Sequence, residues 1–529
     1  MGTSAKKKER KRKDLKAFED RKAFLKDENR TEAVKKRHDK GNLTARENIA
    51  NLCDEGSFIE YGSLIVAGQR TKKSLEDLIE KTPADGLVGG TGNVNGEQFS
   101  EEASKCMVIS YDYMVLAGTQ GAMNHKKTDR LFQIADRAKL PIIFYLEGGG
   151  GRPGDVDFMP ITVGGLTLNT FSHFAKLSGK MPRIAIVNGN CFAGNAALAG
   201  VCDVIIATKS TSIGMGGPAM IEGGGLGVFK PEDVGPISFQ VPNGVIDLLA
   251  NDEKHATQLA KQYLSYFQGS IDYTECDEQI KLRDIVPEER KMAYNMRKVI
   301  NGLCDKSSVL ELRENFGRSM ITALVRINGR PMGLIANNLQ HLGGALDSDA
   351  CDKTARFIKL CDSFGLPIVS LIDAPGFMVG PEAEQAALVR HSGRLFLAGA
   401  HAKVPIYSII TRRAYGLGAM ALAGGDFFAS QYTVSWPSGE LGAMGLEGAV
   451  KLGFKKDLEG AKDDDQREAL FKMLVAGAYQ QGSALNAASL LEIDEVIDPA
   501  DTRKWIINAN AAFPEQSYKT REGGYVDSW

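Results

Sequence analysis

The chain has 529 residues, more than one ordinary core holds, so two or three domains are expected. Its 64 Lys and Arg nearly balance 66 Asp and Glu, which removes the global basicity a nucleic-acid binder would use. The composition, 43% apolar and 25% charged, is that of a soluble globular protein, and the apolar runs are too short or too interrupted for a membrane span.

The first forty residues are dense in charge. Leu15, Phe18, Lys22 and Leu25 recur at helical spacing, predicting a mostly solvated helix with a thin apolar stripe. Asp and Glu interspersed among the lysines argue against a nucleic-acid arm. The basic start is not followed by an apolar stretch, so no signal peptide is read. A cytoplasmic location, or an organelle matrix after processing, is the expectation. Thr44, with Glu47 three residues on, predicts a capped helix over Ala45–Leu52.

Short strands and turns follow, with a hairpin signal at Asn95-Gly96 and a strand over Met107–Asp112. A small-residue loop, Gly118–Met123, precedes a helix over Lys126–Ala138 whose Leu131, Ile134 and Ala135 form an apolar face. Then Pro141–Leu146 reads as a buried strand running into Glu147 and four glycines, Gly148–Gly151. Alone, that run is either a flexible loop or a tight turn with bare amides, since ordering four glycines costs entropy. A helix near Phe171–Ser178 and a strand over Ile184–Val187 lead to a second turn, Asn188–Ala197, then a helix of small residues and the strand Val204–Ala207. Gly214–Gly225 is again rich in glycine. Repeated strand–turn–helix order describes parallel strands with helical crossovers.

The eight cysteines include no CxxC pair, so zinc-ribbon and thioredoxin chemistry lack support, and their apolar surroundings suggest buried thiols. No metal is expected. The histidines are scattered, with no Ser-His-Asp order; His125 and His391 are the two worth noting. No GxSxG, HExxH or Walker A sequence occurs.

An internal repeat decides the architecture. Lys127-Thr128, Asp136 and Leu140-Pro141 recur 226 positions later as Lys353-Thr354, Asp362 and Leu366-Pro367. Farther on the shift is 223: Pro182 meets Pro405, Phe192-Ala193-Gly194 meets Tyr415-Gly416-Leu417, and Asp203 meets Asp426. Asn95-Gly96 finds its partner in Asn328-Gly329. Two homologous domains are predicted, 45–300 and 301–529, behind a charged helical extension, 1–44; Asp252–Leu303 forms a helical end and connector.

Each half thus offers two small-residue turns at one sheet edge. Gly148–Gly151 faces Ala193-Gly194-Asn195, and Pro375-Gly376-Phe377 faces Gly416-Leu417-Gly418. Backbone N–H groups at such turns and helix starts favour developing negative charge, and two on one oxygen make an oxyanion hole. The chain therefore offers backbone electrostatics twice and no evident general base.

These residues resemble the carboxyltransferase (beta) subunits of the biotin-dependent acyl-CoA carboxylases, a crotonase-superfamily branch. The likeness runs from about Thr44 through GTGNVNG, LPIIFYLEGGGGR, NGNCFAGNAALAG and GGPAMI to VRINGRPMGLIANN, LPIVSLIDAPGFMVG, ITRRAYGLGAMALAG and WPSGELGAMGLEGAV. It implies an α/β fold of two tandem crotonase-like domains (the ββα superhelix). It also implies an acyl-CoA hole at Gly149, Gly150, Ala193 and Gly194, and a biotin hole at Gly376, Phe377, Leu417 and Gly418 with Tyr415 and Gly416 beside it. Arg152, Gly216, Gly217 and Met420 are the implied substrate contacts. Coenzyme A enters as part of the substrate, and biotin arrives on a partner, because no AMKM biotinylation motif or biotin carboxylase domain is present in the sequence. A biotin carboxylase or biotin carboxyl carrier subunit and a homo-oligomer, dimer to hexamer, are the implied partners. In the family, acyl-CoA lies on the N-terminal domain of one subunit and biotin enters from the C-terminal domain of another.

The chain departs from the family at Gly148–Arg152, where Ser-Gly-Gly-Ala-Arg is common, at Pro153-Gly154-Asp155, at Lys230–Pro236, and at Asn195, which replaces a common glycine. Leu417 interrupts the small-residue pair of the second biotin turn, and Met420 stands where some propionyl-type enzymes carry an acidic selector; this apolar region points to a larger or branched acyl group, with propionyl and acetyl as the alternatives. The reverse-running alternative is the carboxyltransferase subunit of a biotin-dependent decarboxylase. A biotin-independent crotonase-type hydratase or isomerase would need a Glu or Asp at the acyl carbon, and a non-enzymatic scaffold would fail to bind CoA thioesters.

Overall fold

A computed structural model of the chain describes residues 12–161, 163–272 and 275–529. Among the described residues the first half holds nine strands: β1 (Ile59–Glu60), β2 (Leu87–Asn93), β3 (Lys105–Tyr111), β4 (Ile142–Tyr145), β5 (Arg183–Val187), β6 (Asn190–Phe192), β7 (Val204–Thr208), β8 (Ser212–Gly214) and β9 (Leu248–Ala250). Seven form one sheet in the order β1-β2-β3-β4-β5-β7-β9, while β6 and β8 form a separate parallel pair. Pairing is antiparallel from β1 to β3 and parallel from β3 onward.

The second half repeats this plan with β10 (Leu310–Leu312), β11 (Met320–Ile327), β12 (Arg330–Asn337), β13 (Ile368–Ala374), β14 (Ile406–Tyr415), β15 (Tyr432–Ser435), β16 (Glu440–Gly442) and β17 (Glu495–Val496). The sheet order is β10-β11-β12-β13-β14-β15-β17. The far end of β14, Arg413–Tyr415, pairs with β16 as β6 pairs with β8. The central strands β4, β5, β13 and β14 are almost wholly buried and read as apolar runs, because helical crossovers cover parallel strands on both faces.

The shift of 226 seen in the sequence carries through the backbone. Helices Ala122–Ala138 and Ser348–Phe364 are both 17 residues long and both end on a left-handed residue, Lys139 (φ 48°) and Gly365 (φ 77°). The short turns Leu116–Gly118 and Leu342–Gly344 keep the same shift, as do the isolated bridges Gln120↔Gly151 and Leu346↔Phe377.

Local expectations meet mixed outcomes. Helix Ala45–Leu52 forms with a complete capping box between Thr44 and Glu47. The helix expected from Lys126 starts at Ala122, because Met123 and Asn124 continue its pattern. Asn95-Gly96 is no two-residue hairpin: Asp54 takes the Gly96 N–H at 2.8 Å, and the connection runs out through a short helix, Glu101–Ser104. Its counterpart does make the tight hairpin, with Asn328 (φ 55°) and Gly329 (φ 76°) joining Ile327 to Arg330.

The charged extension is two helices, Lys13–Ala23 and Thr31–His38, rather than one; residues 1–11 of the expected helix lie outside those described. The first helix buries nothing. The second delivers Arg37 into the interior. Among its described residues, the expected helical connector has α-helix at its ends, Glu253–Ser265 and Met296–Leu303, and a short 3-10 turn at Gln279–Asp284 between.

One continuous apolar core runs through both halves, bridged by Phe267 against Phe364 (5.1 Å). Polar contacts also cross: Arg356 donates to the Asp203 carbonyl at 2.7 Å, and Arg313 to Asp247 at 2.8 Å. A second core, around Met296, Ile300, Trp436 and Ile506, packs the helix Met296–Leu303 against the second sheet. The two sheets are therefore held as one body, with the turns that follow β4, β5, β13 and β14 fixed by buried strands.

Candidate active site: two paired backbone turns

At the end of β4, Glu147 is buried and bidentate with Arg37, at 2.8 and 2.5 Å. Burial raises its carboxyl, and Arg37 opposes that rise. The chain then enters the glycine run. Gly148 and Gly150 have φ of 155° and 85°, conformations that favour glycine. The Gly150 carbonyl accepts from Gln120 N–H and the Arg152 N–H donates to Gln120 O, both at 2.7 Å. This bridge turns the intervening Gly151 N–H to the opposite side, where no described acceptor meets it.

Against this turn packs the one after β6. Ala193 is left-handed in φ (50°) and its N–H donates to Gly214 O at 3.1 Å. Gly194 opens the helix Gly194–Gly200, so its N–H lies beyond the intrahelical ladder. The turns touch closely: a Cβ on Gly150 would sit 2.5 Å from the Ala193 Cβ and 3.5 Å from the Gly194 nitrogen. Gly150 is buried and its N–H is taken by the Asn195 side chain at 3.0 Å, while Gly149 and Gly151 are exposed. Of the residues expected at this hole, Gly149, Gly150, Ala193 and Gly194 are thus brought together. The N–H groups of Gly149, Gly151 and Gly194 meet no described acceptor, and those of Gly150 and Ala193 are spent within the chain.

The second half builds the same object. Asp373, fully buried at the end of β13, receives Arg412 at 3.1 Å and Arg413 at 2.5 Å. Gly376 has φ 122°, its carbonyl accepts from Leu346, and Met378 donates back to Leu346. Phe377 N–H is left facing away from that bridge, as Gly151 is in the first half. Gly416 (φ 58°) stands where Ala193 does and opens the helix Gly416–Leu422, so the Leu417 N–H lies in its first turn. A Cβ on Gly418 would lie 2.9 Å from the backbone of Gly376 and 3.1 Å from the Phe377 nitrogen. Only glycine allows these two turns to meet. Tyr415 is pinned behind them, its hydroxyl donating to Glu440 at 2.9 Å, and Glu440 also holds Arg290 at 2.8 Å.

The remaining expected contacts fall differently. Arg152 is committed to a buried network, with Asp85 at 2.7 Å and Asp155 at 2.8 Å. There its guanidinium braces the glycine turn. Burial pushes Asp85 up to about 6 despite Arg152. Gly217 caps the helix Pro218–Gly223, and a Cβ there would press on the Phe192 ring; Gly216 precedes it in a partly exposed loop. Met420 lines an apolar cleft of about 700 Å³ beside Gly416, walled by Leu441, Leu446, Phe454, Leu474 and Leu490. His125 is buried against Thr170 and Phe171, and His391 bonds Asp352. Among the described residues no group of three or more His, Cys, Asp or Glu could hold a metal ion, all eight cysteines are free, and no helix is long and apolar enough to cross a membrane.

Sequence reasoning missed Arg37 and Glu440, whose roles depend on partners far along the chain. Asn195 carried a signal, as a departure from glycine, but its partners did not. The equivalence of Glu147 and Asp373 was available from the shift of 226.

The paired turns can be set beside known proteins. The carboxyl transferase domain family matches residues 36–522. The methylmalonyl-CoA carboxyltransferase 12S subunit of Propionibacterium freudenreichii subsp. shermanii is 32% identical over 487 residues, 90% of this chain and 89% of that protein. A solved single-chain, multi-domain long-chain acyl-CoA carboxylase is 55% identical with a TM-score of 0.89, over 94% of this chain and 49% of that one, so this chain spans about half its length. The transcarboxylase 12S hexamer, solved with methylmalonyl-CoA and methylmalonic acid bound, gives a TM-score of 0.82 at 29% identity and 97% coverage of both chains. With two pseudo-symmetric α/β sheets and a match across nearly its whole length, the chain belongs to the carboxyl transferase domain family, and its chemistry is carboxyl transfer as in the biotin-dependent acyl-CoA carboxylases and transcarboxylases.

Proposed function

We propose that the chain is the carboxyltransferase component of an acyl-CoA carboxylase, moving a carboxyl group from carboxybiotin on a partner protein to the α or vinylogous carbon of a long or bulky acyl-CoA. The observation that carries this is the paired construction: two turns per half, each presenting N–H groups that the chain does not use. In the first half the Gly151 and Gly194 N–H groups receive the thioester oxygen as it gains charge, leaving an enolate to be carboxylated. Donors held ready in this way are worth about 2.7–4 kcal/mol each in comparable holes. In the second half the Phe377 and Leu417 N–H groups, at a partly exposed edge, fit a ureido oxygen.

Biotin, when delivered by its carrier, supplies both the carboxyl group and the base. With the base on biotin, the paired turns need supply only backbone donors. Residues 45–300 carry the acyl-CoA side and 301–529 the biotin side, behind the extension 1–44. A homo-oligomer, with a hexamer as in the 12S relative, brings the first half of one subunit to the second half of another.

The choice of a long or bulky acyl chain rests on the apolar cleft beside Met420 and on the single-chain relative, which is named as a long-chain acyl-CoA carboxylase. The test is decarboxylation of carboxylated acyl-CoAs with free biotin as acceptor, across chain lengths from malonyl-CoA upward. Turnover that rises with chain length supports the proposal. A preference for malonyl- or methylmalonyl-CoA removes the long-chain assignment, and no biotin-dependent turnover with any of them removes the carboxyltransferase reading.

A further inference from the structure

Asn195 in the first half and Gly418 in the second occupy equivalent buried positions at the paired turns. Asn195, fully buried, accepts the Gly150 N–H at 3.0 Å through Oδ1, and its Nδ2 lies 3.4 Å from the carbonyls of both Gly118 and Glu147. One amide thus ties together the Leu116–Gly118 turn, the end of β4 and the glycine run. It sits one residue after Gly194, an open donor, and fixes the peptide next to Gly151, another. The second half has Gly418 at this place. There Asn337, from β12, bonds the Gly344 carbonyl at 2.9 Å and the Asp373 N–H at 3.1 Å, the counterparts of Gly118 and Glu147. It does not reach Gly376, whose N–H meets no described acceptor.

We infer that Asn195 is a positioning residue for the acyl-CoA hole: it withdraws the Gly150 N–H from the site and locks the Gly151 and Gly194 donors into a rigid pair, whereas the biotin turn keeps the Gly376 N–H free. This rests on the carboxyltransferase reading above. Donors that need not reorient as charge develops stabilise the transition state more than the neutral ground state. Loss of the amide should therefore weaken binding of an enolate while sparing binding of the thioester.

The experiment compares the wild-type chain with Asn195→Ala and Asn195→Gly, using two ligands. One is a non-reactive acyl-CoA thioether. The other is a CoA analogue carrying a nitronate in place of the enolate. Tm is recorded alongside, and Asn195→Gly serves if Asn195→Ala fails to fold. The expected result is a loss of at least about tenfold in nitronate affinity and in kcat. Thioether affinity and the KM for free biotin stay within about threefold, a split that a general loosening of the fold does not produce. Equal loss for both CoA ligands, or nitronate affinity unchanged, overturns the inference, as does loss of folding in both variants, which assigns Asn195 to the fold. If the wild-type chain binds the thioether but gains nothing with the nitronate, it is the underlying reading of this hole that fails.

Discussion

Glu147 and Arg37 form a buried bidentate pair, 2.8 and 2.5 Å, joining the strand that leads into the first glycine turn to a helix 110 residues earlier. Asp373, 226 positions after Glu147, is matched by Arg412 and Arg413 instead. Each half thus anchors its turn with an acidic residue at the end of the strand, but recruits the cation from a different place. Removing Arg37 would strand a carboxylate in the interior, at a cost of about 3–5 kcal/mol. Arg37→Met should lower stability by that order in a denaturant titration. Adding Glu147→Gln should restore a large part of it, and strict additivity of the two changes would dissolve the pair.

The glycines at the two contacts predict separable defects. At Gly150 a side chain meets Ala193 in a backbone conformation (φ 85°) that L residues rarely adopt. Gly150→Leu should abolish transfer to acyl-CoA while far-UV circular dichroism stays native; undiminished turnover would sink the hole. Gly418→Ala should displace Gly376 and raise the KM for free biotin, with acyl-CoA affinity unchanged.

Asp85 predicts a pH signature. Its folded pKa of about 6 lies above the unfolded value near 4, so between these the folded state holds a proton that the unfolded state releases. Stability from this group therefore falls as pH rises from about 4 to 6, by up to about 1.4 kcal/mol per unit, and is flat above that window. Asp85→Asn should flatten that part of a stability–pH curve. An unchanged slope in the variant would exclude Asp85 as its source.

Lys127 and Lys353, also 226 apart, are buried and donate to the carbonyls of Leu87 and Met320. Burial lowers Lys353 to about 7, far below its unfolded range. The unfolded state then holds the extra proton above pH 7, so stability from this group rises with pH from about 7 to 10. Lys353→Met should remove that rise, read as Tm against pH.

Met420 lines the apolar cleft, so a charge placed there should work against a long chain. Met420→Asp is expected to lower kcat/KM for long acyl-CoAs relative to short ones by about tenfold or more, because the carboxylate loses water when an alkyl chain lies on it. An unchanged chain-length profile would remove Met420 from the acyl site.

The two-turn plan was legible because it is written locally and twice. Leu-Pro, an apolar run, an acidic residue and glycines recur at a constant shift, and the crossover helices between them have strong 3.6-residue patterns. The charged extension breaks into two helices because packing intervenes at Phe24–Arg30, which its periodicity does not show: Leu25 is buried, and Arg30 is drawn to Asp112 at 2.6 Å. Asn95-Gly96 carried the same turn signal as Asn328-Gly329, and the carboxylate of Asp54 decided between a loop and a hairpin.

By itself the amino-acid sequence determined the duplicated α/β architecture and the position of all four small-residue turns, since these follow from hydrophobic period and from backbone angles that favour glycine. Only the tertiary structure decided which N–H groups stay open. That depends on acceptors brought from elsewhere in the chain: Asn195 to Gly150, Gly214 to Ala193, and Gln120 along the edge that aims Gly151 outward. A donor is available for catalysis only where folding leaves it unpaired, and pairing is settled by contacts between residues tens of positions apart.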